Sequence, residues 1–574
     1  MEGSVAKRTK FCFVVTFSIL LSSLLGFYLT SKASANTTNN LIRQTQFGQI
    51  EGESKNSILD WKGVPYGGNV SGKNRWKSPT NPTKWTGVKK TTASLTALQY
   101  NNGKVVGEEN NALTLDIYRP DTTTKNLPVI VYVHGGNNQT GSSAEISGAN
   151  FVKNHNAIFV SVNYRLGVLG FNPLSALKVG TKAEKSGNYA LLDLHKSLSW
   201  VKNNIANFGG NSKNITIAGF SAGGRDVMAM LISPLFKNQF NKAIVFSGGM
   251  TLSNETKSQK IFAKALAPLV VQDKIKKTQK AAQKWLLAKK NAKQVRKYLY
   301  SIKPARLTKL MTNAQIRMAN FPHLYQDGYV IPKNGFSTKN YNSVPVILFS
   351  GSREFSLFAL TDNYFYKSFQ NGTISTNKKT AKEFNYVSKY GSQLYSRFNL
   401  EDSANKMLAN GYKAAIYGMQ MNFGNNAKVV GSKMGLLGAF HGVFVTLFDP
   451  DNTTYKPYVG DAYQSVGAKK LSTEFQNYIF NFINSSDGSS SKNPVTWSKY
   501  NSQHQTLRLS ATKTNTIAVM KKKIYTDQTV FKELEKDKTI SSSDKNYLIK
   551  HVLNGRWFSR GLDQKFNNMS YFEK

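Results

Sequence analysis

The sequence predicts an α/β fold built on a large, mostly parallel sheet with helices on both faces. Three observations carry this. Short continuous apolar runs recur along the chain, as expected of strands buried on both sides. Helical segments separate them, the alternation that parallel strands require. A glycine-flanked serine, Gly219-Phe220-Ser221-Ala222-Gly223-Gly224, sits where one run gives way to a helical stretch.

Residues 1–35 read as an export signal. Lys7, Arg8 and Lys10 form a basic start, residues 11–29 are uncharged and mostly apolar, and Ala33-Ser34-Ala35 is the small-x-small pattern before a cleavage site. Asn36 would be the first mature residue. The competing reading is an uncleaved anchor, because a run of 19 residues can span a bilayer. The well-placed Ala-x-Ala favours cleavage, and with it no transmembrane segment in the mature protein.

From about residue 43 strand and helix signals alternate through one large domain, 36–520. Val129-Ile130-Val131-Tyr132-Val133 and residues 157–162 are buried-strand runs. Residues 189–206 are helical, with Leu191, Leu194, Leu198 and Val201 on one face. Residues 215–218, 243–246 and 346–349 continue the strand series. Residues 255–320 are Lys-rich and helical, either amphipathic helices with solvated lysines or a cap over a site. Residues 484–494 form a polar loop. Residues 521–574 form a basic helical extension.

Composition narrows the function. At 574 residues, 40% hydrophobic and 12% aromatic, the chain can bury a large core. One cysteine excludes an internal disulfide framework and any CxxC zinc site. Seven scattered histidines argue against a structural metal. The net charge is +44, which suggests an anionic partner such as nucleic acid, membrane or wall polymer. Only 14 of the cations are Arg and 62 are dispersed Lys, and there is no zinc-finger, basic-zipper or RNA-recognition signature. Nucleic acid is therefore not expected as a partner. Cys12 lies at the start of the apolar run, so a lipoprotein anchor does not fit, and the mature chain would hold no cysteine. An exported chain without disulfides points to a bacterium with a single membrane and a thick wall.

The serine motif carries the chemistry. In G-x-S-x-G the chain turns sharply from strand to helix, and glycines on either side avoid Cβ clashes. The hydroxyl of Ser221 would stand at the carboxyl end of the sheet as a nucleophile. The N–H of Ala222 would face a developing oxyanion. The rest of an oxyanion hole should come from a loop after an earlier strand, and His134-Gly135-Gly136 directly follows the 129–133 run. Gly135 and Gly136 are the expected donors.

At this point the sequence resembles the type B carboxylesterase family, which includes the cholinesterases and bacterial para-nitrobenzyl esterases. Ordered motifs run from about residue 43 to about residue 500. Trp61-Lys62-Gly63-Val64-Pro65-Tyr66 is similar to the family's "kGIPYA", and Arg75-Trp76 with Pro79, Pro82 and Trp85 to its "RF..P..P..W". Residues 113–120 resemble "LyLNvyrP", and Asn163-Tyr164-Arg165-Leu166-Gly167 is "NYRLG" in full. Gly187-Asn188 through Asp193, then Trp200-Val201 and Phe208-Gly209-Gly210, follow "GN.gl.D....WV..ni..FGG". Asp327-Gly328, Trp497 and Tyr500 extend the likeness. The resemblance implies an α/β-hydrolase fold and a Ser–Glu–His triad.

The resemblance places the acid nine residues after a strand-opening proline. Pro345 leads to Glu354, which would accept the imidazole N–H and fix its tautomer. The bland reading is a Glu354 paired only with Arg353 or a surface lysine. His441 in Gly438-Ala439-Phe440-His441-Gly442 resembles the family's "gAfHg" and is the expected base. His155, His195 and His323 precede the acid, and His504 and His551 lie outside the motif. The chemistry needs no metal or organic cofactor.

Several positions depart from the family. Phe220 replaces the Glu of "GESAGG", Phe349 replaces a glycine before the acid, and Arg353 replaces an Asp beside it. Phe444 stands where the family is usually acidic, and Ala112 replaces the cysteine of "EDCL". Arg225-Asp226 is a candidate buried ion pair in the post-serine helix. The leading function is a secreted serine carboxylesterase acting on small esters, with short or aromatic acyl groups expected from the aromatic content. The alternatives are a non-catalytic surface binding protein on a hydrolase fold, which retention of all three triad residues disfavours, and an acyltransferase using the same acyl-enzyme. The dispersed lysine charge, +41 after cleavage, then reads as retention on an anionic cell envelope.

Overall fold

The computed structural model describes residues 41–485, 493–501, 503, 505–522 and 526–569. The export signal, most of the 484–494 loop and His504 lie outside the described residues.

Strand β1 is Glu53–Lys55, β2 Ile58–Pro65, β3 Thr114–Pro120, β4 Leu127–Val133, β5 Ile158–Val162 and β6 Gly210–Phe220. Then come β7 Lys242–Phe246, β8 Val346–Gly351, β9 Ile416–Met421, β10 Gln505–Ala511 and β11 Thr516–Lys522. They form one eleven-stranded sheet in the order β11-β10-β9-β8-β7-β6-β4-β5-β3-β2-β1. Neighbours from β5 through β10 are parallel, and antiparallel pairs close both ends. All five apolar runs expected as strands are central strands. β10 alternates apolar and polar residues from Leu507 to Ser510, whereas the edge strand β11 runs apolar from Ile517 to Met520 and ends in two lysines.

Two cores cover the two faces. Val129, Val131 and Val133 join one, and Ile130 and Tyr132 join the other, as the two-residue strand period requires. The helix Tyr189–Asn204 buries Leu191, Leu194, Leu198 and Val201 against the first. Two sequence motifs meet there: Arg165 grips Asp193 through two bonds of 2.8 and 2.6 Å, both side chains buried. That fork holds the Asn163–Gly167 segment against the helix.

The Lys-rich region forms helices Glu255–Gln272, Gln279–Leu287, Ala292–Ser301 and Pro304–Thr308. Phe262, Leu266, Trp285 and Leu299 point inward, while Lys257, Lys264, Lys280 and Lys293 are exposed. Helices Asp527–Lys536, Ser542–Leu548 and Arg560–Lys565 follow β11. They pack on the long helix Lys378–Asn399, where the Tyr386 hydroxyl donates to the Leu534 carbonyl at 3.0 Å and the Tyr390 hydroxyl to Asp537 at 2.8 Å.

Candidate active site

Ser221 sits between β6 and the helix Ala222–Met230 with φ 55° and ψ −112°, a strained conformation for a residue with a side chain. Its N–H donates to the Phe246 carbonyl at 2.8 Å, which ties the turn to β7. The flanking glycines are obligatory. A Cβ on Gly219 would lie 2.3 Å from the Gly223 carbonyl oxygen, and one on Gly223 would lie 2.0 Å from that of Val133.

The acid and base come from other loops. Glu354 follows β8 and is fully buried. Its Oε2 faces Nδ1 of His441 at 2.6 Å. Its Oε1 accepts from the Ser247 hydroxyl at 2.5 Å, the Ser350 hydroxyl at 3.1 Å and the Gly351 N–H at 2.6 Å. Arg353 forms no ion pair with Glu354 among the described residues. Nε2 of His441 meets no protein partner, and His441 and Ser221 line one cavity of about 790 Å³. Hydrogen bonds between nucleophile and base commonly tighten only as substrate binds. Ser247, at φ 52°, and Ser350 were not legible in the sequence as partners of the acid. Their only signal is position, at or just after the ends of β7 and β8.

The oxyanion loop differs from expectation at Gly135. Its N–H donates to both oxygens of Glu145, at 3.1 and 2.9 Å, so it is not a free donor. Glu145 also accepts from the Tyr132 hydroxyl at 2.7 Å, and burial pushes its carboxyl up to about 7. Among the described residues the N–H groups of Gly136, Asn137 and Ala222 meet no acceptor. Gly136 and Asn137 line the cavity with Ser221. Asn137 has φ 57°, a glycine-like conformation that its sequence context did not reveal. The loop is held from behind: the Tyr164 hydroxyl lies 2.9 Å from both the His134 carbonyl and the Asn138 amide oxygen. The His134 ring is buried, stacked on Tyr164, and burial lowers it to about 4.

Arg225 and Asp226 are both fully buried, but they point apart and do not pair through hydrogen bonds. Arg225 donates to the Asn137 side chain at 3.0 Å, lies 2.8 Å from Nε2 of His323 and covers the Trp557 ring at 4.0 Å. Burial lowers it to about 10. Asp226 accepts from Asn138 at 2.9 Å, and burial raises it to about 7. Adjacent helix positions face directions about 100° apart. Each residue therefore braces the oxyanion loop from its own side.

The departures at 220, 349 and 444 converge on one cluster. Phe444 stacks on Phe246 at 4.2 Å and meets Phe220 at 5.1 Å and Phe349 at 5.5 Å. Phe220 also packs on the His441 ring at 4.8 Å, with Phe358 at 4.9 Å and Tyr395 at 5.7 Å on other sides. Aromatic rings thus wedge the imidazole in place. Such pairs contribute about 0.5–1.5 kcal/mol each beyond their buried area.

Residues 39–531 match the carboxylesterase family. The para-nitrobenzyl esterase of Bacillus subtilis is 37% identical over 215 residues, 36% of this chain and 43% of that protein. Carboxylesterase 1D of Rattus norvegicus is 33% identical over 350 residues, 57% of this chain and 60% of that protein. The aligned segments thus span less than two thirds of these relatives' own length. Among solved structures, the carboxylesterase EST55 of Geobacillus stearothermophilus superposes with a TM-score of 0.64 at 22% identity, covering 84% of this chain and 98% of its own. A PNB esterase gives 0.61 at 22%, covering 84% and 97%. This likeness fixes the fold as an α/β-hydrolase, and the match across residues 39–531 places the chain in the carboxylesterase family.

Proposed function

We propose that the protein is an exported serine carboxylesterase that hydrolyses small carboxylic esters through an acyl-enzyme on Ser221. The observation that carries this reading is that Ser221 and His441 line one cavity while the fourfold-bonded Glu354 holds His441 from behind. His441 Nε2 takes the proton of Ser221 as Oγ attacks the ester carbonyl carbon. Gly136, Asn137 and Ala222 donate to the oxyanion. The protonated imidazole, steadied by Glu354, gives its proton to the leaving alkoxide as the ester C–O bond breaks. Water then attacks the acyl-serine, His441 again taking its proton; the acyl C–Oγ bond breaks, the imidazolium returns the proton to Ser221, and the carboxylic acid leaves. The test is turnover of 4-nitrophenyl acetate by residues 36–574, together with covalent labelling by a fluorophosphonate. The expected result is a stoichiometric adduct on the peptide containing Ser221. No turnover and no adduct would sink the reading.

The address follows from the charge. Residues 1–35 direct export, and the mature protein is retained by anionic polymers of the cell envelope. Dispersed exposed lysines give a diffuse attraction that is screened over about 8–10 Å at physiological ionic strength. Washing intact cells with ~0.5–1 M NaCl is expected to release most of the protein. Retention through that wash with a detergent-dependent release would favour a membrane anchor instead.

A further inference from the structure

The wall of the catalytic cavity contradicts the rest of the chain in charge. Lys and Arg number 76 of 574 residues, so roughly four of the residues lining the cavity should be cationic. None is, and Glu145 is the sole carboxylate in the wall. Cations stand behind or beside the wall: Lys309 lies on the Tyr100 ring at 5.8 Å, and Arg225 and Arg317 bond the side chains of Asn137 and Gln315. The wall has two zones. Around Ser221 and His441 it is apolar, with Phe220, Leu357 and Phe358. Towards the mouth it carries neutral hydrogen-bonding side chains on three separate segments: Asn101 and Asn102, Thr312 and Asn313, and Asn363 with Tyr366. Asn101, Asn313, Asn363 and Tyr366 are exposed. Tyr458 joins this zone, and Tyr455 lies deeper, against Gly442 beside His441. These are not spent on the fold. The nearby Gln99, Gln139 and Gln315 side chains are consumed by internal bonds, whereas among the described residues no hydrogen bond engages the six side chains on the three segments or the two tyrosine hydroxyls.

Unspent amides and phenols at a cavity mouth are donors and acceptors awaiting a partner, and tyrosine rings offer apolar faces beside them. A lipid or alkyl alcohol would leave these groups unpaired and desolvated, which costs binding. An anionic group would approach the Glu145 carboxylate across a low-dielectric wall. Resting on the esterase reading, we propose that the substrate class is an uncharged O-acylated carbohydrate. A short acyl group would sit in the apolar zone, and the hydroxyl-rich alcohol would lie across the mouth. The hydroxyls would pair with the three segments, and the tyrosines would pack on the sugar's C–H faces.

The experiment compares kcat/KM for three acetates: methyl 6-O-acetyl-glucoside, cyclohexylmethyl acetate of similar size without hydroxyls, and the 6-O-acetyl-glucoside of glycolic acid, which keeps the same acetate and adds a carboxylate on the aglycone. The expected result is at least a tenfold preference for the neutral sugar ester over each of the others. The double variant Asn313→Ala, Tyr366→Phe is expected to shrink the sugar-to-cyclohexyl ratio at least fivefold. Glu145→Gln is expected to narrow the penalty on the carboxylate-bearing sugar. Equal or faster turnover of cyclohexylmethyl acetate overturns the proposal, as does a ratio unmoved by the double variant. Failure to hydrolyse any of the three, or 4-nitrophenyl acetate, overturns the esterase reading instead.

Discussion

Replacing Glu354 by glutamine is expected to lower kcat on 4-nitrophenyl acetate by about 10⁴-fold, a large loss but smaller than that from Ser221→Ala, because the nucleophile and base remain. The structure gives the reason. Three donors, the Ser247 and Ser350 hydroxyls and the Gly351 N–H, converge on Oε1. A glutamine amide cannot turn its NH₂ towards them without setting donor against donor. Its NH₂ must then face Nδ1 of His441, where Oε2 now lies at 2.6 Å. That forces the proton onto Nε2, and an Nε2–H cannot accept the serine proton. The tautomer, not the geometry, would be wrong. Urea unfolding should therefore shift little, and the labelling rate of Ser221 should fall with kcat. A Glu354→Gln variant that keeps a tenth of wild-type kcat would show that another residue orients the base.

The backbone of this design was legible in the residues, and its supports were not. Central strands such as 129–133 and 215–218 announce themselves because burial on both faces demands unbroken apolar runs. The serine elbow is equally readable, because steric exclusion around φ 55° at Ser221 admits only glycine nearby. Ser247, Ser350 and Asn137 carry no such mark. A serine that bonds a buried carboxylate is indistinguishable in sequence from one that faces water. Gly135 was misread for a related reason. A glycine after a strand can offer its N–H to a substrate, but only the fold shows that Glu145, ten residues on, has already claimed it. Arg225 and Asp226 misled by adjacency, since neighbours on a helix diverge. The three phenylalanine departures were visible singly, at 220, 349 and 444. Their meeting in one cluster depends on long-range packing that no local pattern encodes.

The second large effect is expected from Arg556→Ala, which should cost about 3 kcal/mol of stability by leaving the buried Asp362 carboxylate with only its longer ion-pair contact, to Arg317 at 3.5 Å. Arg556 is fully buried, 25 residues beyond the end of the family match at residue 531. Its Nη2 meets Asp362 at 2.6 Å, its guanidinium covers the Phe355 ring at 5.2 Å, and it also donates to the Gln315 carbonyl. Phe355 is the residue after Glu354. The next two residues extend the contact: Trp557 lies under Arg225, and Phe558 stacks at 4.7 Å on Tyr395, which itself stacks on His441. The extension thus touches the neighbours of the acid, the base and the oxyanion loop at once. Loss of Arg556 should lower the urea midpoint and reduce kcat by about tenfold through looser packing around His441. Adding Asp362→Asn to Arg556→Ala should restore part of the stability, because it removes a buried charge that Arg317 compensates only at 3.5 Å. A double variant no more stable than Arg556→Ala alone would mean that packing on Phe355, not the ion pair, anchors the extension. Wild-type stability in Arg556→Ala would mean that the extension is peripheral to the catalytic domain.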